Sequence, residues 1–205
     1  MHKIVDASLK GYGIPEASGL PQASGLLNAS DSVLLLVDIQ EKFRPVVAGI
    51  EDVIRQGQVL VRAAVRLGIP VLASEQYPKA LGTTASELRQ WLPADQAYFP
   101  KLCFSAAGCE PLLAGLRATG RKQVVIAGVE THVCVLQTGM ELLAAGFSVY
   151  IVADAVGSRK PSDRDLALGR LERHGAELLS TEMAVFEWLR VAGTAEFKEL
   201  QALVK

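Results

Sequence analysis

Three polar residues stand just beyond three separate apolar runs. Asp38 follows Val33-Leu-Leu-Leu-Val37, Lys101 follows the short run at 97–99, and Cys134 follows Gln123-Val-Val-Ile-Ala127 through the turn Gly128-Val-Glu-Thr-His-Val133. A carboxylate, an ammonium and a thiol have complementary uses. The carboxylate takes the thiol proton, and the ammonium holds a thiolate or a developing oxyanion, which together make an acyl-transfer site. Cys134 also stands where a helix begins. Unpaired N–H groups and the helix dipole there favour negative charge, so the thiol is expected to titrate low and to react with iodoacetamide before Cys103 or Cys109. The same N–H groups could serve as an oxyanion hole. Each residue also has a plainer reading. Cysteine is among the most buried residue types, an aspartate often closes a turn, and a lone lysine is usually a solvated charge. Cys103 and Cys109 are read in that plainer way.

Placing the three together requires strands that run side by side. Ile50, Val53, Ile54, Leu60, Val61, Ala64 and Leu67 recur at helical spacing after the first run, and Gly68 ends that helix before Pro70. The alternation repeats. It predicts strands at 70–74, 97–99, 123–127, 148–152 and 176–179. Between them it predicts a short helix from Thr84 with Glu87 completing a capping box, a helix opened by Pro111, a helix over 133–145 and one capped by Ser162 that reaches His174. Short strands alternating with helices demand crossover connections. The fold class is therefore α/β: a doubly wound, mainly parallel six-stranded sheet with helices on both faces. Ligands in such folds bind beyond the carboxyl ends of the strands, where Asp38, Lys101 and Cys134 fall.

With 205 residues, one domain is expected. Residues 1–31 read as an N-terminal arm, rich in Gly, Ala, Ser and Pro, with a duplication of Glu16-Ala-Ser-Gly-Leu as Gln22-Ala-Ser-Gly-Leu; Leu20, Leu26 and Leu27 are its candidate anchors. Residues 32–205 form the domain. Half the residues are hydrophobic and the formal net charge is −1, with no basic run, so nucleic acid is not the expected partner. No signal peptide or membrane span is evident, and the expected location is cytoplasmic. The composition permits a homo-oligomer, a dimer or larger.

Three segments carry a family resemblance. Leu35-Leu-Val-Asp-Ile-Gln40 with Phe43, then Phe99-Pro-Lys-Leu-Cys-Phe-Ser105, then Gly128-Val-Glu-Thr-His-Val-Cys-Val135 resemble, in order and spacing, the signatures of isochorismatase-like cysteine hydrolases. The resemblance covers about 32–189. It implies that Cys134 is the nucleophile, Asp38 the general base, and Lys101 the third member that orients them and balances charge. It also implies a cis peptide between Val129 and Glu130. That bond would turn the Glu130 N–H toward the substrate oxygen beside the Cys134 N–H, so the Glu130 backbone is expected to matter more than its side chain. Nicotinamidases in this family hold a metal with an Asp and two His after the second strand. The corresponding stretch here, 74–82, has no histidine, and neither metal nor other cofactor is expected. Glu75-Gln-Tyr-Pro-Lys-Ala-Leu-Gly82 resembles instead the isochorismatase-domain-containing proteins, whose substrates are poorly defined.

The expected substrate is a small molecule, with Gln76 hydrogen-bonding an amide, Phe43 and Phe104 as apolar walls, and His132 in a supporting role. His132 does not make a Cys-His protease dyad, because no third partner is visible. The favoured reaction is cleavage of an amide, imide or related C–N bond through a thioester, and the resemblance leaves open the vinyl-ether cleavage of isochorismatase itself. The alternative is a binding or thiol redox-sensing protein with the same pocket and no significant turnover. No glycine-rich phosphate loop supports a nucleotide or flavin site.

Overall fold

In the computed structural model, which describes residues 25–204, Ser32–Val37 form β1 with every side chain buried. Leu34 and Leu36 enter one core layer, and Val33, Leu35 and Val37 enter the other. That two-sided burial explains a continuous apolar run where a strand with one wet face would alternate with polar residues. β2 (Val71–Gln76), β3 (Tyr98–Lys101), β4 (Gln123–Val129), β5 (Ser148–Gly157) and β6 (Glu177–Leu179) complete a six-stranded sheet in the order β3-β2-β1-β4-β5-β6. Every pairing is parallel. The sheet is therefore wholly parallel, where the sequence indicated only mainly so.

Helices cover both faces. The apolar sides of α1 (Ile50–Arg66), α3 (Ser86–Arg89), α7 (Thr181–Leu189) and α8 (Ala195–Leu200) fill one layer. Those of α4 (Glu110–Ala118), α5 (Leu136–Ala144) and α6 (Pro161–Arg173) fill the other, while α2 (Pro78–Leu81) buries no residue. The chain winds outward from β1 through β2 to β3, then crosses to β4 on the other side of β1. Ligands of parallel sheets that reverse in this way bind beyond the carboxyl ends of the strands at the reversal, here β1 and β4.

β1 and β4 approach closely at Gly128. Its φ is 150°, and a Cβ built there would lie 2.2 Å from the Val37 carbonyl oxygen, so only glycine fits. Residues 25–31 lead into β1. Leu27 is buried in the layer under α1 and α7, its N–H donating to Glu187 Oε2 at 2.8 Å, whereas Leu26 is exposed. Leu20 and most of the duplication lie outside the described residues.

Several local expectations are corrected. Thr84 and Glu87 make no capping box: the Thr84 N–H and hydroxyl donate to buried Glu75 Oε1 at 2.8 and 2.9 Å, Glu87 pairs with Arg44, and α3 starts at Ser86. A buried carboxylate outcompetes a solvent-exposed helix end for those donors. Ser162 is not a cap either, because α6 starts at Pro161, whose missing N–H costs nothing at a first position. β5 runs to Gly157 rather than Val152, across a register shift between Ile126 and Gly128. Polar Asp154 hides this continuation in the sequence; its Oδ1 accepts from the N–H and hydroxyl of Thr181. Lys101 is the last residue of β3 rather than following it.

Candidate active site

Asp38 leaves β1 with φ 53°, a left-handed conformation that aspartate tolerates better than most side chains. Its carboxylate is fully buried. Ser74 Oγ, near the end of β2, donates to Oδ1 at 2.7 Å, and Lys101 Nζ, from β3, lies 2.7 Å from Oδ2. The Lys101 ammonium donates to three neutral oxygens: Gln76 Oε1 at 2.6 Å, Phe104 O at 2.7 Å and Cys103 O at 3.2 Å. Its approach to Asp38 Oδ2 lacks hydrogen-bond geometry, and that oxygen receives no hydrogen bond. The contact is one of charge against charge, in a site where neither side chain reaches water.

Cys134 joins this pair from the turn after β4. The Val129–Glu130 peptide is cis, and Thr131–Val135 form a single π-helical turn that passes directly into α5. The thiol is 4% exposed and titrates under the influence of both Asp38 and Lys101. Burial, then the Asp38 charge, push it from an ordinary 9.0 up to about 12, and the ammonium offsets only part of this. The expectation of a low-titrating thiol is therefore reversed, since burial and a neighbouring carboxylate outweigh the favourable turn. Burial likewise raises the Asp38 carboxyl; Lys101, Ser74 and Cys134 pull it down but less strongly.

Two consequences are measurable. Cys103 is exposed, so iodoacetamide near neutral pH should modify Cys103 first and Cys134 last, which peptide mass spectrometry reads directly. Stability follows the sign of the Cys134 shift. A thiol that holds its proton more tightly when folded contributes stability that is fully present below about pH 9 and is lost as pH rises toward 12. Urea midpoints should fall more steeply over that window in the natural protein than in Cys134→Ala; equal slopes would contradict the assignment.

The structure separates the remaining candidates. Gln76 belongs to the Lys101 cluster: Oε1 accepts from Lys101, and Nε2 donates to Leu102 O at 3.0 Å. Phe43 ends a short 3-10 turn (Glu41–Phe43) and packs, half-buried, on the layer that contains α1. Phe104 is 54% exposed, so its ring is available while its carbonyl is held by Lys101. His132 Nδ1 lies 3.1 Å from Ser158 Oγ.

Glu130 has a partner that its sequence context does not announce. Its buried carboxylate accepts from the Arg159 backbone N–H at 2.8 Å and from the guanidinium at 2.7–3.1 Å. Burial raises this carboxyl, but the Arg159 bonds and charge together hold it below the ordinary range. The Glu130 side chain thus ties the turn after β4 to the end of β5, in addition to any role of its backbone. Gln40 was also missed as part of the site's support. Its amide oxygen accepts from the Gln76 N–H, and its amide nitrogen donates to Gln76 O and Gly82 O. Among the described residues, no group of three or more His, Cys, Asp or Glu is placed to hold a metal, and no helix is long and apolar enough to cross a membrane.

Comparison with known proteins places this geometry in context. Residues 32–183 match the isochorismatase domain model. Isochorismatase domain-containing protein 1 of Danio rerio is 42% identical over 179 residues, 87% of this chain and 62% of that protein, so the chain spans about three fifths of that relative's length. Among solved structures, the MAR1 ribonuclease of Caenorhabditis elegans is 36% identical, with a TM-score of 0.83 over 87% of this chain and 92% of that one. The YcaC gene product of Escherichia coli, described as an octameric hydrolase of unknown specificity, is 26% identical with a TM-score of 0.82, covering 89% of this chain and 92% of its own.

Proposed function

The chain belongs to the isochorismatase family, and from that premise we propose that it is a cysteine-dependent hydrolase of a small amide, imide or related C–N substrate. The carrying observation is the buried Asp38–Lys101 pair, 2.7 Å apart, beside the Cys134 thiol. An ion pair costs several kcal/mol of desolvation per ion, which packing alone would avoid with apolar residues. Its retention beside a thiol is what a nucleophilic site requires.

The resting nucleophile is the neutral thiol. As Sγ attacks the carbonyl carbon, its proton passes to Asp38, and the Lys101 charge keeps the resulting group of charges tolerable in a dry site. The Glu130 and Cys134 backbone N–H groups receive the oxyanion. Collapse of the tetrahedral adduct breaks the C–N bond, and the proton on Asp38 leaves with the amine or ammonia. Asp38 then takes a proton from water as its oxygen attacks the thioester. The acid departs, and the proton returns to sulfur.

The ring of Phe104 and Leu102, which is 75% exposed, belong to the loop that follows Lys101 and suit a substrate with an apolar part. Thiol redox sensing is the weaker reading, because oxidants react with exposed thiolates, whereas Cys134 is buried and both its burial and the Asp38 charge disfavour the thiolate. Phosphodiester cleavage, which the name of the worm relative raises, finds no basic run here, and Lys101 is already surrounded by four oxygens. We extend the proposal to a homo-oligomer, as the octameric bacterial relative suggests, and to a cytoplasmic location. The test is a panel of small amides, imides and carbamoyl compounds, scored for ammonia or amine release by the natural protein and by Cys134→Ala. Equal rates in both would remove Cys134 as nucleophile.

A further inference from the structure

Lys101 has three hydrogens and four oxygens around it. The three neutral oxygens take hydrogen bonds, while the charged one, Asp38 Oδ2, lies at 2.7 Å, nearer than the Cys103 carbonyl at 3.2 Å, and takes none. This ordering is unexpected, because a carboxylate normally outcompetes an amide or a carbonyl for an ammonium hydrogen. Two of the neutral acceptors are main-chain carbonyls of the loop after β3. The third, Gln76 Oε1, is a side chain, and it makes the shortest of the three bonds.

Gln76 is itself held from both sides. Its Nε2 donates to Leu102 O, which leaves Oε1 facing a lysine that has only hydrogens to offer. Its backbone N–H and carbonyl are both bonded by the amide of Gln40, a buried side chain just beyond β1 that imitates a neighbouring strand. With both amide ends engaged by the protein, Gln76 has a better-defined partner in Lys101 than in any substrate.

We infer that Gln76 is a positioning residue: with the Cys103 and Phe104 carbonyls it occupies the hydrogens of Lys101, so the ammonium faces Asp38 as charge alone. The Oδ2 lone pair then stays open to the Cys134 proton. The role in turnover rests on the hydrolase reading above; the arrangement of the charges does not. The charged or titratable groups that bear on Asp38 are Lys101 from β3 and Cys134 from the turn after β4, with the neutral Ser74 hydroxyl from β2.

Two substitutions push Asp38 in opposite directions. In Gln76→Leu an ammonium hydrogen loses its acceptor and turns to the nearest free one, Asp38 Oδ2; that bond favours the ionised carboxylate, so Asp38 titrates lower and is a weaker base. In Gln76→Glu a second carboxylate shares the ammonium, and Asp38 titrates higher. Each displacement is expected to be about one pH unit, or tenfold in the protonation equilibrium. The experiment is a ¹³C NMR titration of protein labelled at Asp carboxyl carbons, with the Asp38 signal assigned by its loss in Asp38→Asn. In parallel, the acid limb of kcat/KM for a hydrolysed amide should move the same way in each variant, with kcat down tenfold or more and KM little changed.

Shifts of the same sign in both variants, or none in either, would overturn the proposal. So would a tenfold rise in KM with kcat and the Asp38 titration unmoved, which would make Gln76 a substrate contact. If Gln76→Leu does not fold, the near-isosteric Gln76→Glu still decides, since an unmoved or lowered Asp38 there refutes the idea. Opposite NMR shifts in a protein that turns over no amide would uphold the positioning and reject the hydrolase reading.

Discussion

Cys134→Ala is expected to lower amide hydrolysis by roughly 10⁴-fold or more, to the level left by binding and oxyanion contacts, while leaving the fold nearly intact. A small buried thiol makes few contacts, and removing it strands no charge. Asp38→Asn should abolish turnover to a similar degree but differs in stability. It leaves the Lys101 ammonium buried without its counter-charge, a situation that typically costs about 3–5 kcal/mol. Restoring neutrality with Asp38→Asn/Lys101→Met should recover much of that stability and none of the activity. Urea denaturation beside the amide assay separates the two effects. A Cys134→Ala protein with more than a tenth of natural activity would rule out nucleophilic catalysis, and an Asp38→Asn protein as stable as the natural one would show that Lys101 is not charged in the folded state.

The largest effect on folding is expected at Gly128. Adding a methyl group there drives Cβ to 2.2 Å from the Val37 carbonyl oxygen and 2.7 Å from Val37 Cβ, so backbone must move. Gly128 pairs in register with Val37, the residue before Asp38, and stands two before Glu130. Any separation of β1 from β4 therefore pulls apart the site and the sheet together. Gly128→Ala should lose more than about 3 kcal/mol or fail to fold. Gly139→Ala provides the control. Its new Cβ would meet Leu171 Cδ2 at 2.6 Å, the movable end of a side chain, and the cost should be about 1–2 kcal/mol. Comparable urea midpoints for the two variants would contradict this ranking.

Much of the site was legible because strand ends in a parallel sheet share one rim. Locating Val33–Val37 and Gln123–Ala127 as buried strands was enough to bring Asp38 near Cys134, and the order of strands required only the usual crossovers. What escaped was whatever depended on competition between partners. Gln76 looks like a free amide until the folded chain shows Lys101 at one end and Leu102 at the other. Thr84 and Glu87 have the spacing of a cap, but Glu75 and Arg44, distant in sequence or on another element, bind them instead. The thiol was misjudged for the same reason. Its local position favours ionisation, whereas the depth of burial and the distance to a carboxylate are properties only of the folded molecule.

The sheet's two borders lead to a different matter. Lys101 O accepts from Tyr77 N–H beside β2, so by strand alternation the nitrogen of Pro100 faces away from the sheet, where it has no hydrogen to give. The opposite border is β6, only three residues long. Neither margin offers the long ladder of donors and acceptors on which a foreign strand could grow. Copies of this chain are thus poor templates for one another's strands. Concentrated solutions should resist amyloid-type polymerisation through the described sheet edges.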